Sequence, residues 1–185
     1  MVGSIRSNEA LIAWLHTGAQ AEYVYFWGHE APESRGVVKQ CLSQWFPCSF
    51  VVEGRHYTST EQFMMSEKAR LFGDTHSAER IMSTSSPRDA KKLGRAVQGF
   101  DEAEWTAARS RIVVNGNLAK FGQNAELGRF LRGTGDKVLV EASPLDRVWG
   151  VGLGANDPRI SDPAQWQGLN LLGFALMEVR AELAE

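Results

Sequence analysis

Apolar positions along the chain come in short runs with helical or alternating spacing, separated by glycine and polar punctuation. Residues 8–17 place Leu11, Ile12, Trp14 and Leu15 on one side of a short helix, with Gly18 as its stop. Tyr23-Val24-Tyr25-Phe26-Trp27 reads as an aromatic strand, followed by a polar stretch from Gly28 to Gly36. Val37–Leu42 and Phe50-Val51-Val52 also read as strands, and Glu53-Gly54 predicts a turn into Arg55-His56-Tyr57. From there the pattern is mainly helical. Thr58 with Glu61 forms a capping-box pattern for a first long helix, which Gly73 ends. Ser86-Pro87 opens a second helix carrying Ala90, Leu93, Ala96 and Val97. Asp101 with Glu104 opens a third, with Trp105, Ala108, Ile112 and Val113, and Asn124 opens a fourth, closed by Gly133. Val138-Leu139-Val140 is one more strand, residues 143–170 are loop-rich, and a last helix runs from Asn170 to Leu183. Helices exceed strands and the two do not alternate regularly. The pattern therefore predicts an α+β fold, predominantly helical, in a single domain with a few short strands.

One stripe breaks the pattern. In Thr58–Phe72, at about 100° per residue, Met64, Met65, Leu71 and Phe72 share a face. Glu61 and Lys68 fall near the centre of that same face. Burying an unpaired charge is costly. The two either neutralise each other or line a cavity that needs charge. Glu61 also has a plain reading as a capping residue at the third helical position. Lys68, two turns on and about 10 Å along the axis, either snorkels to solvent or converges with Glu61 on a ligand.

Composition narrows the classes. A net charge of −2 shows no overall basic character that would advertise nucleic-acid binding, although a local Arg/Lys cluster can still meet phosphate. The apolar runs are too short for a membrane span, and the N-terminus lacks a signal-peptide pattern. Cys41 and Cys48 are too few for a disulfide framework. A reduced cytoplasmic protein is expected. His16, His29, His56 and His76 show no metal-binding spacing, so no metal and no cofactor is expected.

Three further segments carry candidate chemistry. Ser143–Gly152 follows a predicted buried strand and holds Asp146 and Trp149 among glycines that admit close approach. Asp146 reads either as a functional carboxylate or as a turn-capping aspartate. Lys91, Lys92 and Arg95 either bind phosphate or form a solvated helix face. Asn115, Asn117, Lys120, Gln123 and Asn124 form an amide-rich segment suited to a heterocycle or to ribose hydroxyls, and equally to helix ending and capping.

The same stretches closely resemble the YbiA-like family, also called NADAR. The matching residues include Tyr57-x-Ser59-x-Glu61-Gln62-Phe63-Met64-Met65-x-x-Lys68-Ala69-x-Leu71-Phe72-Gly73-Asp74 and Lys92-Leu93-Gly94-Arg95. They continue with Gly116-Asn117-x-Ala119-Lys120-Phe121-x-Gln123-Asn124 and Ser143-Pro144-x-Asp146-x-x-Trp149-Gly150-Val151-Gly152, then Asn170-Leu171-Leu172-Gly173. Coverage runs from about Tyr23 to Leu183, so residues 1–20 read as an N-terminal extension and 21–185 as the YbiA-like domain. Ser43-Gln44-Trp45-Phe46-Pro47 departs from the family's usual Ser-Asn-Phe.

The resemblance implies an N-glycosidase associated with NAD and ADP-ribose metabolism. Some members act on early riboflavin-pathway intermediates, and others remove ADP-ribose from guanine in nucleic acid or nucleotides. It marks Glu61, Trp105 and Asp146 as essential positions. Breaking a ribose-to-nitrogen bond builds positive charge on the sugar, which a carboxylate stabilises, and a carboxylate also activates water. Glu61 and Asp146 fit those needs. Lys68 would neutralise Glu61, bind phosphate or attack an opened sugar to give a Schiff base. Trp105 or Trp149 would stack on base or sugar, with Arg95, Asn117, Lys120 and Gln123 as further substrate contacts. The competing classes are a non-enzymatic ADP-ribose or nucleotide-binding module and a helical interaction protein with a buried Glu61–Lys68 pair.

Overall fold

The computed structural model describes residues 4–28 and 37–184; His29 and the rest of the polar stretch after Gly28 lie outside them. In chain order these residues form α1 (Asn8–His16), β1 (Tyr23–Phe26), a 3-10 turn (Lys39–Leu42), β2 (Phe50–Val52) and β3 (Arg55–Tyr57). They continue with α2 (Thr60–Leu71), α3 (Thr75–Met82), α4 (Pro87–Arg95), α5 (Glu102–Gln123) and α6 (Ala125–Gly133). After β4 (Val138–Glu141) come two 3-10 turns (Pro158–Ser161, Pro163–Gln165) and α7 (Leu171–Glu182). The α+β, mainly helical reading holds. Contacts group the chain into two compact units, Gln44–Ala125 and Met1–Ser43 with Glu126–Glu185, each described by itself.

Gln44–Ala125 is built around α2, which packs on α3, α4 and α5. Two glycines set the close approaches. A Cβ on Gly94 of α4 would lie 2.1 Å from the Met65 sulfur, and one on Gly116 of α5 would lie 2.5 Å from the Phe63 ring. The antiparallel hairpin β2–β3 pairs Phe50 with Tyr57. The rings of Phe50, Tyr57 and Phe63 form a tight cluster, with Tyr57 and Phe63 meeting edge-on at 5.0 Å. Gln123 closes the hairpin edge: its amide accepts from Val51 N (2.8 Å) and donates to Val51 O (2.7 Å).

In the other unit β1 and β4 form a two-stranded parallel ladder, Tyr23 opposite Val138 through Phe26 opposite Glu141. α7 packs against β4. Asn170, in the left-handed region at φ 52°, joins them. Its Nδ2 donates to Leu139 O (2.9 Å) and its Oδ1 accepts from Glu141 N (3.0 Å).

One expected element is corrected and two are extended by the structure. Val37–Leu42 is not a strand; Lys39–Leu42 turns as a 3-10 helix that buries Cys41 and Leu42. A short apolar run does not distinguish these outcomes by its spacing. The third helix runs on through the amide-rich segment to Gln123, so Asn115, Asn117 and Lys120 are helical. Thr75–Met82 is a helix that the sequence reading left out, although Asp74 caps it by accepting from Ser77 N (2.9 Å).

Candidate active site

The N-terminus of α2 decides how Glu61 is read. Ser59, not Thr58, is the cap, and its hydroxyl accepts from Gln62 N (3.1 Å). Gln62 therefore holds the third helical position. Its Oε1 accepts from Thr58 N (2.8 Å) and Thr58 Oγ1 (3.1 Å), while its Nε2 donates to Thr84 O (2.7 Å) and Ile81 O (3.2 Å). The cap that the sequence assigned to Thr58 and Glu61 is made one residue later: Ser59 caps the helix, and the Gln62 side chain reaches back past it to Thr58. Glu61 is left in the second position, facing the interior at 3% exposure. The helix dipole favours a carboxylate there, but capping does not account for its burial.

Glu61 borders a buried polar group that the sequence showed only in part. Its N–H donates to Gln44 O (2.9 Å), which also accepts from Thr60 Oγ1 (3.2 Å). The Gln44 side chain accepts from Asn117 Nδ2 (3.0 Å), and that same nitrogen donates to Val113 O (2.9 Å). A backbone carbonyl can only accept, so Val113 fixes which way round the Asn117 amide lies. Asn117 Oδ1 is buried with no hydrogen-bond partner among the described residues. Lys120, one turn further along α5, is also fully buried, its ammonium 5.0 Å from the Phe121 ring and 5.6 Å from that of Phe46. Gln44 was not among the sequence candidates. The signal was its place in the segment that departs from the family pattern, where a polar residue sits between Leu42 and Phe46.

Lys68, two turns along α2, meets α4 and the start of α5. Its Nζ donates to Gly94 O (3.0 Å) and lies 4.2 Å from the Phe100 ring centroid and 5.5 Å from that of Trp105. Burial lowers its pKa, and the Glu102 carboxylate opposes the shift only in part. Trp105 is 8% exposed, so the accessible ring beside Lys68 is Phe100. Arg95 ends α4 in solvent. Gln123 serves the β2 edge as described above.

Asp146 and Trp149 belong to the other unit. Asp146 Oδ1 accepts from Val148 N (2.9 Å) and Trp149 N (2.8 Å), which folds the loop tightly. Gly150 is required there, since a Cβ would meet Glu141 O at 2.8 Å. Val148 O and Trp149 O accept from Leu171 N and Leu172 N in the first turn of α7 (3.2 and 3.1 Å). Among the described residues no three His, Cys, Asp or Glu side chains are grouped to hold a metal ion, and no helix is long and apolar enough to cross a membrane.

The NADAR domain model matches residues 25–184. The chain belongs to the NADAR family. An N-glycosidase of Acanthamoeba polyphaga mimivirus is 42% identical over 166 residues, 87% of this NADAR chain and 96% of that protein. A riboflavin biosynthesis protein of Vibrio vulnificus is 31% identical over 88% of this chain, which spans 39% of that protein's length. The NMR structure of the Escherichia coli protein YbiA superimposes with a TM-score of 0.71 at 26% identity, covering 90% of this chain and 87% of that one.

Within this NADAR chain Asp146 has a structural task beside any chemical one, and a pair of substitutions separates them. Asp146→Asn keeps the accepting oxygen for Val148 and Trp149 but removes the charge. Asp146→Ala removes both, at a cost of about 1–3 kcal/mol for two unpaired amides. If the charge is chemical, Asp146→Asn loses activity at an unchanged denaturation midpoint, whereas a turn-forming role leaves its activity intact. Rates and chemical denaturation of both variants read this directly.

Proposed function

We propose that this chain removes ADP-ribose from guanine in nucleic acid or nucleotides by hydrolysing the N-glycosidic bond. The chain is a hydrolase acting on N-glycosyl bonds; the guanine and the ADP-ribosyl group are the proposed part. The observation that carries the reading is Glu61, a buried carboxylate whose capping duty has passed to Gln62. Cleavage of a ribose-to-nitrogen bond leaves the sugar cationic. A carboxylate fixed in a low-dielectric site stabilises that cation, and it can draw a proton from the attacking water.

Lys68 supports a covalent variant of the same reaction. Burial favours its neutral amine, the form that attacks carbon. In that variant the sugar C1–base nitrogen bond breaks as the C1–Nζ bond forms, and the base leaves with a proton. Ring opening gives an imine, which water hydrolyses to the free sugar and the amine. The neutral fraction grows as pH rises through the lowered pKa, so imine formation rises with pH. Borohydride added during turnover should trap a sugar adduct on the wild type, more at higher pH, and none on Lys68→Arg. Full activity of Lys68→Arg without an adduct would leave Lys68 as a charge held against Gly94 and Phe100.

A second substrate reading is favoured by the Vibrio vulnificus relative, whose name refers to riboflavin biosynthesis. It replaces guanine with a ribosylated aminopyrimidine phosphate. Parallel incubations with ADP-ribosylated guanine nucleic acid and with aminopyrimidine ribose phosphates, read by released product, choose between the two. Release from the pyrimidine alone would overturn the guanine reading.

A further inference from the structure

α4 carries a feature that neither Glu61 nor Lys68 explains. Arg88, Lys91, Lys92 and Arg95 stand at positions i, i+3, i+4 and i+7, which puts all four on one helical face. The opposite face holds Ala90 and Gly94, buried, with Gly94 packed on Met65. None of the four cations has a carboxylate within ion-pair distance among the described residues. The sole acid of the helix, Asp89, lies in its first turn, where the dipole favours it. A protein of net charge −2 thus concentrates unpaired positive charge along about 10 Å of one helix.

The stripe also borders the site. Lys91 Nζ lies 5.8 Å from the ring of Trp45, the residue next to Gln44, whose carbonyl holds Glu61 N. At the other end of α4, Gly94 O holds Lys68, and the Phe100 ring beside that ammonium is 43% exposed. Cations interleaved with accessible aromatic rings are what a nucleic-acid strand requires: charge for its phosphates and faces for its bases.

We propose that the Arg88–Lys91–Lys92–Arg95 face of α4 is a docking surface for the sugar-phosphate backbone of single-stranded nucleic acid flanking the reacting nucleotide. The proposal rests on the guanine reading above and deepens it, because a free nucleotide has no flanking phosphates to meet this face. A single strand fits better than a duplex. Glu61 is 3% exposed, so the reacting base must leave any stack to reach it, and an unpaired base does so at least cost.

The test measures binding without catalysis, so its failure is distinct from failure of the bond-cleavage reading. Wild-type protein is titrated into an unmodified, fluorescein-labelled oligothymidylate over a series of salt concentrations, starting at about 50 mM. Arg88→Gln/Lys92→Gln removes two exposed charges and should weaken binding at least about tenfold at low salt. It should also flatten the slope of log K against log salt by about 1.4. Arg88→Lys/Lys92→Arg should bind like the wild type. Arg129→Gln/Arg132→Gln, two exposed cations of α6, makes the same change in net charge and should bind like the wild type. Circular dichroism melting confirms that each variant is folded. The proposal is overturned if the wild type does not bind, if the α4 pair binds with unchanged affinity and slope, or if the α6 pair loses as much as the α4 pair. Equal affinity for single-stranded and duplex oligonucleotides would overturn the preference for a single strand.

Discussion

Glu61→Gln should lower turnover at least about 100-fold while the protein melts at the wild-type temperature. Glutamine has the same shape and keeps a side-chain oxygen, so it fills the same buried space. It has no charge, so it cannot stabilise a cationic sugar or accept a proton from water. The 100-fold loss corresponds to about 2.7 kcal/mol of transition-state stabilisation. The structure sharpens this expectation because the alternative duty is taken: Ser59 and Gln62 make the cap, so losing the Glu61 charge leaves the first turn of α2 closed. Single-turnover rates with saturating substrate, beside a thermal melt, separate the cases. Near-normal rates in a stably folded variant would remove Glu61 from the chemistry.

Gly173→Ala should cost about 3 kcal/mol or more, the upper end for overpacking, because nothing around the new methyl can yield. A Cβ there would lie 2.1 Å from Leu139 O and 2.5 Å from Asn170 Nδ2. The first is backbone of β4, fixed on its other side by the ladder to β1. The second is the amide that joins α7 to β4. Pushing either away breaks the bond between them and exposes the Leu172, Phe174 and Leu176 contacts that α7 makes in the core. Gly133→Ala is the control, since a Cβ there meets nothing within 4 Å. It should be neutral or slightly stabilising at a helix end. Urea midpoints of the two variants give the comparison, and a Gly173→Ala midpoint equal to the control would show that α7 can shift away from β4.

The sequence carried most of the helices because their caps are local: Ser86-Pro87, Asp101 and the loop before Leu171 are punctuation that a short window can read. It carried the oddity of Glu61 as well, since a charge in an apolar stripe needs only helical periodicity to be seen. What it left ambiguous was settled by contacts distant in sequence. Whether Thr58 or Ser59 caps α2 is tied to where Gln62 finds the carbonyls of Ile81 and Thr84, 19 and 22 residues away. That one-residue shift changes the reading of Glu61. Lys39–Leu42 reads as a strand locally, yet no partner strand faces it among the described residues, and it closes as a 3-10 turn instead. Gln44 became visible only when α5 brought Asn117 to it. The cations of α4 were legible as a cluster, but their lack of carboxylate partners was not.

The order in which the chain is made gives the division into two units a temporal meaning. Gln44–Ala125 is continuous, and its hairpin and helices find their partners within that stretch. β1 is synthesised before it but must wait for β4, which emerges only after the whole of Gln44–Ala125. Closing that parallel ladder is a late event, because its two strands lie far apart along the chain. Until then the apolar edge of Tyr23–Phe26 is unpaired, the condition under which strands join the wrong neighbour. A nascent chain halted after Ala125 would therefore carry β1 without the strand it pairs with.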